Sequence, residues 1–164
     1  MTSGQTVVGL FAGIGGLELG LSASGFHTEL LCEIEPHAQR VLRSHFVDVP
    51  IASDITTLES LPRADIVAGG FPCQDLSQAG SKSGIAGQRS GLVTHLLRLL
   101  RKARPRPKWV LIENVSYMLR LDQGAAMRFL TGALEELGYR WAYRVVDARS
   151  FGVPQRGLPV ILLA

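Results

Sequence analysis

Two rhythms of apolar and polar positions alternate along this chain. Short apolar runs at residues 6–11, 27–33, 50–55, 64–68, 109–112, 139–148 and 158–163 predict strands. Between them lie segments of helical period. One starts at Leu17, Leu19 and Leu21, with Glu18 among them, and stops near Gly25. A second runs from Pro36, a residue suited to a first helical turn, to about Phe46. A third covers residues 91–103, with Leu92, Leu96, Leu99 and Leu100 inward and Arg98, Arg101, Lys102 and Arg104 outward or at its end. A fourth covers residues 122–138. Strands that alternate with helices predict an α/β domain, doubly wound around a mostly parallel sheet.

In such sheets, reacting groups gather beyond the carboxyl ends of strands. The chain places distinctive residues at several of those ends. Phe11 leads into the turn Ala12-Gly13-Ile14-Gly15-Gly16. A strand, a glycine turn and a helix make the entry of a nucleotide-type fold. The spacing is not G-x-G-x-x-G and no Gly-Lys-Ser/Thr follows, which argues against a pyrophosphate or a nucleoside triphosphate. Glu33 ends the second strand 20 residues past Gly13, a separation suited to gripping ribose hydroxyls. It also reads as a solvated carboxylate at a strand end. Asp54, near the end of the third strand, offers an acceptor for an amino group and serves equally as the cap of the next turn. Cys32 reads as a core residue, and His37 and His45 as structural or exposed.

The fourth strand delivers Gly69-Gly70-Phe71-Pro72-Cys73-Gln74. Taken alone, Cys73 reads as a small packed residue in a tight turn. A thiol just past a strand end is also a candidate nucleophile, because the thiolate attacks carbon well. The polar, glycine-rich stretch of residues 74–88 follows directly, long enough for a lid or binding loop. The fifth strand leads into Glu113-Asn114-Val115, one β–α–β step after Cys73. A carboxyl leaving so apolar a run is partly desolvated, and its pKa rises as a proton donor requires.

Composition narrows the setting. The 164 residues fit one domain, and 46% hydrophobic with 19% charged residues is a globular balance. A net charge of +3 suits a polyanionic partner without demanding one. Two cysteines are too few for a disulfide scaffold or a thiolate metal site, so a reducing compartment is expected and no metal. No apolar run reaches the length of a membrane span, and no secretory signal is expected from the first residues. Together the residues predict a cradle for a nucleoside-containing cofactor, with a thiol and a carboxyl beside it. A thiolate adds to an electron-poor ring carbon, and a carboxylic acid protonates a ring nitrogen. A methyl donor beside both could alkylate the activated ring.

The motifs Phe11-Ala12-Gly13-Ile14-Gly15-Gly16, Glu33, Ser53-Asp54-Ile55, Gly70-Phe71-Pro72-Cys73-Gln74, Arg89-Ser90-Gly91-Leu92, Glu113-Asn114-Val115 and Gly152-Val153-Pro154-Gln155 carry a resemblance. In order and spacing the chain resembles the DNA cytosine-5 methyltransferases of bacterial restriction–modification systems. The resemblance implies the Rossmann-like fold of S-adenosylmethionine-dependent methyltransferases, with the last strand antiparallel. It implies that Phe11, Gly13 and Gly15 line the S-adenosylmethionine site, with Glu33 on the ribose and Asp54 and Ile55 at the adenine. Pro72 and Leu92 add cofactor contacts. Cys73 is implied as the nucleophile on cytosine C6, and Glu113 as the residue that holds and protonates N3. The implied partner is double-stranded DNA with its target base flipped out, in the bacterial cytoplasm at the nucleoid.

Two departures from the family pattern stand out. Relatives carry Gln-x-Arg-x-Arg where this chain has Gln155-Arg156-Gly157-Leu158-Pro159, and loss of the second arginine removes a fixed donor fork from the cytosine site. Relatives also continue into a target-recognition region and a segment completing the cofactor-side domain. Residues 1–164 are therefore expected to be the cofactor-binding catalytic domain alone. A second polypeptide supplying recognition, or a domain that binds the cofactor without methylating, are the readings this leaves open.

Overall fold

The computed structural model describes residues 4–72, 91–154 and 157–164. Cys73, the polar stretch 74–88, Arg89, Ser90, Gln155 and Arg156 lie outside the described residues. Seven strands form one sheet in the order β3-β2-β1-β4-β5-β7-β6. They are β1 (Thr6–Leu10), β2 (His27–Cys32), β3 (Ile51–Ala52), β4 (Ile66–Gly69), β5 (Trp109–Val115), β6 (Ala142–Val145) and β7 (Pro159–Leu163). β1 to β5 pair in parallel, and β7 runs antiparallel to both β5 and β6. The α-helices of the described residues are α1 (Gly16–Ala23), α2 (Pro36–His45), α3 (Leu92–Lys102) and α4 (Ala125–Glu136).

Alternation along the strands sends side chains to two faces, and each face has its own helices. On one face Val8, Leu10, Val67, Val110, Ile112 and Leu162 pack against Leu96, Leu99 and Leu100 of α3 and Leu130 and Leu134 of α4. On the other, Val7, Ile66 and Ala68 meet Leu17 and Leu21 of α1, while Leu31 meets Leu42 and Phe46 at α2. The sheet is thus wound on both sides. Each fully buried leucine contributes roughly 1.5–3 kcal/mol by leaving water, so the larger face is the main anchor of the fold.

The predicted elements are present, with shifted ends. β3 stops at Ala52, because Asp54 turns the chain: its Oδ1 accepts from the Thr56 N–H at 2.8 Å. β5 is longer than its apolar run and continues through Glu113 to Val115, because β7 pairs with it residue by residue, Glu113 opposite Ile161 and Val115 opposite Pro159. Glu113 therefore stands within a strand and not past its end. Residues 116–124 form two short 3-10 turns, so α4 starts later than its pattern suggests. β6 covers only Ala142–Val145, and Asp147 caps a further 3-10 turn through the Arg149 N–H. Pro159 opens β7, a position where its missing N–H is tolerated.

Candidate active site

The carboxyl ends of β1, β2, β3, β4 and β5 share one edge of the sheet, and nearly every described residue with predicted chemistry lies there. Phe11 leaves β1 with φ +55°, a left-handed conformation that a bulky residue adopts only under strain from its surroundings. Its ring meets Phe71 edge-on, with centroids 6.1 Å apart. Gly13 and Gly15 also take positive φ, 55° and 88°, which opens the turn before α1. A side chain at Gly13 would meet nothing within 4 Å, so the turn faces open space.

Glu33 is tied into this turn. Its Oε2 accepts from the Gly13 N–H at 2.7 Å and its Oε1 from the Glu35 N–H at 2.8 Å. The Gln39 side chain donates to the Glu33 carbonyl at 2.7 Å. The carboxylate is thus an oriented group. Two oxygens with about four lone-pair directions still leave room for a diol beside those two bonds. Asp54 meets its expectation as a cap: the carboxylate holds its turn and stays half-buried beside the strand ends. The Thr56 N–H, with the His95 ring as a minor contributor, holds its carboxyl below the usual range. Ile55 is buried in the larger core cluster, against which Phe11 and Leu92 also pack. Pro72 is exposed at the last described position before Cys73.

Glu113 faces the loop that follows β4. A Cβ on Gly70 would come within 2.9 Å of Glu113 Oε2, so only glycine leaves the carboxyl its place. Half-buried and beside that backbone, the carboxyl is pushed above its ordinary pKa by desolvation. The next residue, Asn114, is 4% exposed and donates through Nδ2 to the Phe71 carbonyl at 2.9 Å. The β5 end and the chain approaching Cys73 are therefore stapled together. The other cysteine, Cys32, is buried at 3% exposure, and burial, then the charges of Asp54 and Glu33, push its thiol up to about 11. It is a core residue, as its apolar surroundings in the sequence indicate.

Several residues act differently from their pattern. Arg98 was expected to point outward. Instead its guanidinium turns in and donates to the carbonyls of Ile55 at 3.1 Å and Leu58 at 2.8 Å. Glu18, placed among the leucines of α1, is the buried member at 1% exposure, while Leu19 is 43% exposed. It lies over Gly9, where a Cβ would collide with its carboxyl. A glycine in a central strand opposite an acid near a helix start is the signal that would have found it. Among the described residues no group of three or more His, Cys, Asp and Glu side chains could hold a metal.

A doubly wound sheet with one antiparallel strand near its edge, and acidic side chains after β2 and β3, defines a Rossmann-like methyltransferase fold. Residues 5–161 match the family of C-5 cytosine-specific DNA methylases, and the chain belongs to that family. Over 160 residues it is 60% identical to the Type II methyltransferase M2.BsuMI of Bacillus subtilis (strain 168), covering 96% of this chain and 41% of that protein. It is 35% identical over 170 residues to M.AquIA of Picosynechococcus, covering 92% of this chain and 68% of that protein. The solved structure of the Entamoeba histolytica methyltransferase EhMeth superimposes with a TM-score of 0.77 at 20% identity, over 99% of this chain and 53% of that one. The chain thus spans about two fifths of the length of M2.BsuMI and of several other curated relatives. The methyl donor of this family is S-adenosylmethionine.

Proposed function

We propose that residues 1–164 form the cofactor-binding and catalytic part of a DNA cytosine-5 methyltransferase. The observation that carries this reading is Glu113: a half-buried carboxyl with a raised pKa, held against Gly70 on the strand beside the one that leads to Cys73. S-adenosylmethionine, when bound, supplies an electrophilic methyl group. Phe11 and the Gly13–Gly15 turn would line its site. Glu33 would accept from its ribose hydroxyls, and Asp54 from its adenine amino group beside Ile55. Pro72 and Leu92 would complete the walls.

The protein groups then work on the base. The Cys73 thiolate bonds to C6 of a cytosine flipped out of duplex DNA, and electron density moves to C5. Glu113, whose carboxyl burial shifts toward its neutral form, donates a proton to N3 and lowers the cost of that addition. The C5 electron pair would take the methyl group, leaving the former S–CH3 bonding pair on the thioether of S-adenosylhomocysteine. A base then removes the C5 proton, the electrons return to the ring, Cys73 leaves as thiolate, and N3 gives its proton back to Glu113. No metal is needed, since a thiol and a carboxylic acid supply nucleophile and proton. A cytoplasmic, nucleoid setting is part of the same reading.

Since the chain covers 41% of one relative and 68% of another, a second reading is a catalytic half that a further polypeptide segment completes. Tritium transfer from labelled S-adenosylmethionine to mixed-sequence duplex DNA tests both, with the chain alone and joined by its remaining segment or partner. We expect transfer in the completed form, abolished by Cys73→Ser while cofactor affinity in calorimetry stays within a few-fold. Cofactor binding without transfer in every setting would identify a domain that binds but does not methylate. Preferential labelling of tRNA would shift the substrate to RNA.

A further inference from the structure

Arg98 is the only charged side chain of α3 that the described hydrogen bonds show crossing to another element's backbone. Both of its carbonyl partners belong to the turn after β3. Ile55 follows Asp54 directly, and Leu58 closes the turn. Within the turn, the Asp54 carboxylate accepts from the Thr56 N–H, and Thr57 Oγ1 donates to the Asp54 carbonyl at 3.0 Å. The turn is therefore a small rigid unit. Its attachment to the rest of the fold decides where the free edge of the Asp54 carboxylate points. Besides the packing of Ile55 and Leu58 on the core, that attachment is made by one guanidinium, 40 and 43 residues away in the chain. Leu92 begins the same helix, so Arg98 also fixes the gap between the turn and Leu92. One helical turn before Arg98, His95 lies near enough to act on the charge of Asp54, and its Nδ1 is buried without a hydrogen-bond partner among the described residues. Arg98 and His95 of α3 are thus both turned to this corner.

We propose that Arg98 is a positioning residue for recognition of the cofactor's adenine. It clamps the Asp54–Leu58 turn onto α3 so that Asp54 reads the exocyclic amino group in a slot between Ile55 and Leu92. This rests on the assignment of the site to S-adenosylmethionine. Arg98 touches no ligand itself. A planar guanidinium meets two carbonyls at once in a fixed geometry, which a lysine ammonium on a flexible stem does poorly.

The test compares binding of S-adenosylhomocysteine and of its hypoxanthine analogue, S-inosylhomocysteine, by calorimetry. The analogue replaces the amino donor by a carbonyl, which an acceptor carboxylate rejects. The unsubstituted chain should prefer the adenine ligand by about tenfold or more. Arg98→Met should weaken the adenine ligand about ten- to hundredfold and the hypoxanthine ligand far less, so that the preference collapses. Arg98→Lys should restore part of it and serves also if the methionine variant folds poorly. A merely structural role would lower the melting temperature but leave the ratio of the two affinities intact, and that result overturns the proposal. Failure of the unsubstituted chain to bind S-adenosylhomocysteine overturns the cofactor site along with it. Binding to the unsubstituted chain without adenine preference overturns the Asp54 contact and the Arg98 role that depends on it, and leaves the rest of the cofactor site standing.

Discussion

At the residue scale, Glu18 is the sharpest departure from ordinary chemistry. Its two carboxyl oxygens are buried with no hydrogen-bond partner among the described residues beyond a weak contact to its own backbone, beneath the turn that Gly15 leads into α1. Burial pushes its pKa from 4.5 up to about 7. The folded chain therefore holds this proton more tightly than the unfolded chain does. Its contribution is fully present below pH about 4.5 and is lost as pH rises toward and through about 7. The loss amounts to no more than about 3 kcal/mol. Denaturant unfolding of the parent and of Glu18→Gln from pH 5 to pH 8 checks this. We expect the parent to lose stability over that range relative to the variant, and parallel profiles would contradict it. Glu113 is raised in the same direction but is half-exposed to solvent, so its share is smaller.

At the scale of elements, the junction between β4 and β5 organises the site. Parallel pairing aligns Gly69 with Ile112, which brings Gly70 beside Glu113 and the Phe71 carbonyl within reach of Asn114. Asn114 Oδ1 also accepts from the Val115 N–H at 2.9 Å, so the amide uses both ends. Replacing it by alanine leaves a buried carbonyl without its donor, a cost of about 1–3 kcal/mol. For a domain of this length that corresponds to a fall of roughly 2–12 °C in melting temperature. Asn114→Asp, which keeps the shape but donates nothing when ionised, should fall similarly at neutral pH. Differential scanning calorimetry checks both, and an unchanged midpoint would mean that the staple carries no load.

At the scale of the whole molecule, the proposed cofactor site draws on β1, β2, the β3 turn and α3, segments spread from Phe11 to Arg98. A ligand that spans them stabilises the folded state by mass action. At a concentration a hundred times its dissociation constant the gain is about 2.7 kcal/mol. We expect S-adenosylhomocysteine to raise the melting temperature by about 5–11 °C under those conditions. Glu33→Ala should abolish most of that shift at the same ligand concentration, since it removes both the proposed ribose acceptor and the anchor of Gly13. A full shift in the variant would count against the ribose role.

The alternation of apolar runs with helical segments was enough to determine the doubly wound sheet, because both periodicities are local properties of the chain. The glycine turn with Glu33, and the apolar run into Glu113, were legible for the same reason: an acid next to a strand end is visible in one dimension. Strand ends were not legible where a distant partner decides them. β5 runs past its apolar residues only because β7 supplies pairing bonds as far as Pro159. Side-chain direction was hidden in the same way. Arg98 looks like a solvated cation until the β3 turn presents two carbonyls to it, and Glu18 looks like a surface acid until Gly9 leaves it room beneath α1. The sequence by itself determined which chemical groups stand near the strand ends. Only the tertiary structure decided which of them are oriented, desolvated or clamped, because those properties depend on neighbours brought from elsewhere in the chain.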